Sequence, residues 1–131
     1  MVERSRLDEE LDLLRSNYPG LEYRQEGHWV RFPEYVVPVE IWGQSTVEVS
    51  FQIPERIPGQ APYGFFVRPH MTLRNQQPVG NYAYPAQTAF GGDWGKFSWQ
   101  LLVWEPSANV VAGTNMVNFA RSIGDRFREG A

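Results

Sequence analysis

The chain has 131 residues, 42% hydrophobic and 21% charged, with a formal net charge of −3. That length suits one domain with its own core, residues 1–131, and is short for two. The charge balance gives no footing for nucleic acid or an anionic membrane, and Arg4, Arg6, Arg15 and Arg24 form no basic stripe.

No run approaches the roughly 20 apolar residues of a membrane span, and the start Val2-Glu3-Arg4-Ser5-Arg6 lacks the apolar core of a signal peptide, so a cytoplasmic protein is expected. Cysteine is absent, which excludes disulfides, thiolate metal sites and thioester chemistry on this chain. His28 and His70 stand in no metal-ligand spacing, so neither a metal nor another cofactor is expected.

In chain order, Leu7, Leu11 and Leu14 recur at i, i+4 and i+7 behind Ser5, with Asp8 placed to complete a capping box, and predict an amphipathic helix that stops near Tyr18-Pro19-Gly20. Four strands are predicted next: Leu21 to Arg24, His28 to Phe32, Tyr35 to Trp42 and Thr46 to Ile53, separated by turns at Gly27, Pro33 and Gly43-Gln44. In the last of them Val47, Val49, Phe51 and Ile53 alternate with Thr46, Glu48, Ser50 and Gln52, so one face is expected against helices and the other in water, as in an antiparallel meander. Pro54, Pro58 and Pro62 then break the ladder before the strand-like run Phe65-Phe66-Val67, because proline fixes φ and has no N–H to donate.

From Arg68 to Trp94 no periodicity holds, and a long surface excursion is expected. Tyr82, Tyr84, Phe90 and Trp94 within it are candidate anchors for a protein partner. Toward the end, Met116, Ala120, Ile123 and Phe127 share a helical face, with Thr114 as a capping residue and Gly130 past the end. The fold class that follows is α+β.

The proline-rich segment, then Gly95-Lys96-Phe97-Ser98, then Trp104-Glu105-Pro106, in this order between an N-terminal and a C-terminal helix, resembles the ubiquitin-conjugating (E2) superfamily. Within it the chain is most similar to the prokaryotic E2-like family E proteins of bacterial conjugation operons. The resemblance implies a UBC-like fold with a four-stranded meander and a proline flap. It implies as partners an E1-like activating enzyme and a ubiquitin-like protein, with antiphage defence as the setting. Ser98 stands where the superfamily has its catalytic cysteine, and would carry the ubiquitin-like protein as an oxyester. A non-catalytic module of the UEV or RWD kind, which only binds these partners, is the rival reading.

A serine hydroxyl needs a base, and the transfer needs an oxyanion donor. His70 and Asp93 are the candidate bases. The superfamily's His-Pro-Asn element has no match ahead of Ser98, where the chain reads Phe90-Gly91-Gly92-Asp93-Trp94; the Gly91-Gly92 main chain is either a substitute donor or a turn. The prokaryotic family tends to carry a histidine where this chain has Gln100, and Ser98 and Gln100 on one strand face would also explain a simple structural hydrogen bond. The first helix would dock the E1-like enzyme; its acidic residues Glu3, Asp8, Glu9, Glu10 and Asp12 outnumber Arg4, Arg6 and Arg15, so docking through exposed charges such as Glu9 and Glu10 is expected.

Overall fold

Residues 5–131 are described by a computed structural model, in which the first helix, α1 (Arg6–Asn17), starts at the capping box read from the sequence. The Ser5 hydroxyl accepts from the Asp8 N–H, and the Asp8 carboxylate accepts from the Ser5 N–H. Glu3 and Arg4, counted above among the charges of this helix, lie outside the described residues.

The architecture is α+β, with a six-stranded antiparallel sheet and helices at both ends of the chain. The strands are β1 (Glu22–Arg24), β2 (Trp29–Val36), β3 (Thr46–Gln52), β4 (Phe65–Arg68), β5 (Tyr82–Ala86) and β6 (Trp94–Phe97), in the spatial order β1-β2-β3-β4-β6-β5. A short helix, α2 (Val39–Trp42), follows β2, and α3 (Met116–Glu129) follows β6. Among the described residues no helix is long and apolar enough to cross a membrane.

Two strand expectations fail for identifiable reasons. The predicted strands His28–Phe32 and Tyr35–Trp42 are one strand up to Val36, because Pro33 falls where the pairing with β3 shifts register between Phe32 and Tyr35 and no ladder N–H is needed. Beyond Val36 the chain leaves the sheet, and Pro38 opens the turn of α2, which closes on Gly43 at φ 75°. That turn aims Trp42 into the core, where its indole N–H donates to the Phe127 carbonyl at 2.9 Å. The excursion from Arg68 to Trp94 is not structureless either, since it contributes β5 as the edge strand beside β6.

The core lies between one face of the sheet and α1 and α3. Val47, Val49, Phe51 and Ile53 are all buried on that face, and Phe51 meets Phe119 edge to face with centroids 5.0 Å apart. Phe127 is the hub, with Tyr35, Trp42, Phe65 and Phe97 within 6.1 Å, centroid to centroid. The cap of α3 is Asn115, whose carboxamide accepts from the Asn118 N–H; Thr114, the predicted cap, instead binds Glu105 through its main-chain N–H and its hydroxyl.

The opposite sheet face is drier than alternation alone suggests. Ser50 is fully buried, its hydroxyl donating to the Val30 carbonyl. Glu48 is ion-paired to both Arg31 and Arg68. The β5–β6 connection folds back over this face: the Gly91 carbonyl accepts from the Arg68 guanidinium at 3.1 Å and from the Trp94 indole at 2.7 Å, and Phe90 lies under Arg24, 5.0 Å from ring centroid to guanidinium carbon. Trp94 is thereby fully covered and Phe90 half-buried, which leaves Tyr84 as the exposed member of the four aromatic residues predicted as partner anchors.

Candidate functional site

Ser98 is the first residue past β6. Phe97, just before it, is fully buried and stacks on Phe65 at 5.0 Å, which fixes the strand end against the core. The Ser98 N–H donates to the Asn81 carbonyl at 2.8 Å, and the next carbonyl, of Trp99, accepts from the Gly64 N–H at 2.7 Å. Two indoles secure the segment that follows: Trp99 donates to the Ser122 hydroxyl of α3 at 3.0 Å, and Trp104 to the Pro58 carbonyl of the proline-rich segment at 2.7 Å. Ser98 is held by its main chain from both sides while its side chain is exposed and its hydroxyl makes no hydrogen bond among the described residues.

The two candidate bases do not engage Ser98. Asp93 precedes β6 and Ser98 follows it, so an extended strand separates them by about 16 Å at the usual rise per residue. Gly91 and Gly92 are at the same far end, tethered over Arg68, and their N–H groups offer Ser98 no oxyanion site. His70, the other candidate, makes no hydrogen bond to Ser98, although its partner Tyr82 pairs through the main chain with Phe97, the residue before Ser98.

His70 has a different partner. The Tyr82 hydroxyl accepts from the Met71 N–H at 3.0 Å and shares a hydrogen bond with His70 Nδ1, 2.7 Å away, in which the imidazole tautomer sets the donor. Burial, first of all, pushes the Tyr82 phenol above its ordinary pKa, with the nearby Tyr84 adding to the rise against the Met71 hydrogen bond. Stacking on Tyr82 at 5.5 Å and a tilted contact with Tyr84 at 4.1 Å, centroid to centroid, complete the cluster. Tyr82 can lie across the strand because Gly95 beneath it has no side chain: a Cβ there would sit 2.1 Å from the phenolic oxygen.

Gln100 is exposed, and its side chain makes no hydrogen bond to Ser98, since β6 ends at Phe97 and the strand alternation that would align the two is not continued. The residue that sequence reasoning passed over is Asn81. Its carbonyl accepts from the Ser98 N–H, and its side chain, a carboxamide, is exposed. Asn81 has φ 54°, a left-handed value that asparagine tolerates well. The Gly80-Asn81 turn was the available signal, but nothing in the chain order tied it to a serine 17 residues later.

Helix α1 also differs from expectation as a docking surface. Glu10 is fully buried: its carboxylate accepts from the Met116 N–H at 3.0 Å and from Arg6 Nε at 3.2 Å. It serves the joint between α1 and the start of α3, and only Glu9 of the proposed pair remains on the surface side.

No protein-family model, no curated protein and no solved structure matches this chain.

Proposed function

We propose that this chain is an E2-like protein of a bacterial ubiquitin-like conjugation pathway that engages an E1-like activating enzyme and a ubiquitin-like protein by non-covalent contact. The motif resemblance supplies the pathway and a UBC-like reading of the α+β fold. The observation that carries the non-covalent form is the setting of Ser98, which has no base at hydrogen-bonding distance, with Asp93 and the Gly91-Gly92 main chain at the far end of β6. An unassisted serine is almost wholly protonated at neutral pH and attacks poorly.

A second reading, the oxyester, keeps support from two features: the Ser98 hydroxyl is exposed and unengaged, and Asn81 beside it carries a carboxamide of the kind that steadies an oxyanion. Intact-protein mass spectrometry separates the two. The chain is mixed with the E1-like and ubiquitin-like proteins encoded in its own genome, with ATP. No mass gain, together with a complex measurable by calorimetry, is the expected result. An adduct stable to thiol, cleaved by hydroxylamine and absent from Ser98→Ala would replace it with the oxyester reading, and Asn81→Ala should then slow its formation. Neither complex nor adduct would end both.

A further inference from the structure

Between α3 and the segment that leaves β6 runs an open groove of about 890 Å³. One wall is a single stripe of α3, Asn118, Ser122, Asp125 and Glu129, spaced by three and four residues. The other wall is the chain from Trp99 to Glu105, with Trp99 clamped to Ser122 across the middle. Two properties of this second wall are unusual. From Gln100 to Val103 no main-chain N–H or carbonyl makes a hydrogen bond among the described residues. In the same stretch Leu102 is 99% exposed and Val103 58% exposed, and neither joins the core cluster.

The charge of the groove is one-sided. Glu105, Asp125 and Glu129 line it, and no lysine or arginine does. Asp125 is paired with Arg128, while Glu105 and Glu129 have no ion pair among the described residues. Glu105 sits by the first turn of α3, where its carbonyl accepts from the Thr114 N–H, and Glu129 is in the last turn, with Arg126 acting on it only as a charge at longer range, so these two carboxylates mark the two ends.

We propose that this groove binds an extended segment of a partner protein, about five residues long, in which apolar side chains alternate with lysine or arginine. The length follows from the wall: Asn118 to Glu129 spans about 16 Å of helix, and an extended chain covers that in about five residues. Unpaired main-chain groups between Gln100 and Val103 favour an added strand over a helix, since a helix satisfies its own main chain and would leave them open. Alternation then sends one set of side chains onto Leu102, Val103 and the Trp99 ring, and the other set toward Glu105 and Glu129. The proposal draws nothing from the chemistry of Ser98, and its test contains no activating enzyme.

The probe is a fluorescein-labelled heptapeptide of alternating valine and lysine, read by anisotropy, with the valine–glutamate peptide as its counterpart. The lysine peptide should bind at least about tenfold more tightly, and the difference should shrink as salt is raised. The double substitution Glu105→Lys, Glu129→Lys should reverse the preference, and Leu102→Ser should weaken binding of the lysine peptide without shifting the melting temperature, because that side chain contributes nothing to the core. In the unsubstituted chain the Trp99 indole N–H resonance should move on addition of the lysine peptide, a readout that needs no variant to fold. Equal binding of the two peptides, a Trp99 resonance that stays in place, or indifference to the charge reversal would overturn the proposal. So would a dimer of the free chain that Leu102→Asp dissolves, which would make a second copy the occupant.

Discussion

Replacing Glu10 with alanine should cost about 3–4 kcal/mol of folding stability, taken from the lower part of the range for breaking a buried charge pair because the Arg6 side chain retains 13% of its exposure. Three losses combine. Arg6 loses its carboxylate while its Nη2 already lacks a partner, the Met116 N–H at the first position of α3 is left buried without an acceptor, and a negative charge disappears from the positive end of a 14-residue helix. Glu10→Gln retains a carbonyl oxygen for the Met116 N–H and loses only the ionic part, so about 1–2 kcal/mol is expected. Urea unfolding with linear extrapolation reads both, and the alanine variant should also melt roughly 10 °C lower. A double-mutant cycle with Arg6→Ala should give a coupling of about 1–3 kcal/mol. If Glu10→Ala lies within about 1 kcal/mol of the unsubstituted chain, or matches Glu10→Gln, then the joint between α1 and α3 is not held by this carboxylate and the argument fails.

Glu48 is held below the usual glutamate pKa, chiefly by its hydrogen bond to Arg68 and then by Arg31, with burial acting against them. A depressed folded-state pKa means stability that is present above the unfolded value of 4.5 and lost as pH falls through the folded one, so Glu48→Gln should lower stability at pH 7 by about 1–2 kcal/mol and flatten the acid limb of the pH–stability curve; an unchanged limb would refute the assignment. Gly95→Ala should destabilise by about 1–3 kcal/mol, because the new Cβ meets the Tyr82 ring, and adding Tyr82→Ala should recover part of the loss in thermal melts. Trp104→Phe removes the bond to the Pro58 carbonyl, so stability should fall by about 1 kcal/mol and tryptic cleavage at the exposed Arg56 should accelerate; cleavage at the original rate would mean that this indole does not hold the proline-rich segment.

Local chemistry made some elements legible from residues alone. Ser5 with Asp8 fixed the start of α1, the alternation from Val47 to Ile53 fixed which face of β3 is buried, and the period of Met116, Ala120, Ile123 and Phe127 fixed the inner face of α3, because each signal acts within a turn or along one strand. Other features depended on partners distant in the chain. Glu10 lies on the same stripe as Leu7 and Leu14, yet its charge reads as solvent-facing until α3 supplies a main-chain donor 106 residues away. Trp42 reads as a strand end until Phe127 offers its carbonyl, and β5 reads as loop until β6 gives it a ladder.

The candidate site divides in the same way. Sequence motif marked Ser98 and listed bases within reach along the chain, but separation along a chain is not separation in space. One extended strand of four residues carries Asp93 and Ser98 apart, while sheet pairing brings Asn81 to Ser98 and leaves His70 with Tyr82. What the sequence determined by itself is periodicity, capping and the absence of cysteine; what only the tertiary structure decided is which polar groups of different elements meet, since a hydrogen bond requires about 3 Å and the right angle, and between elements neither is set by local sequence.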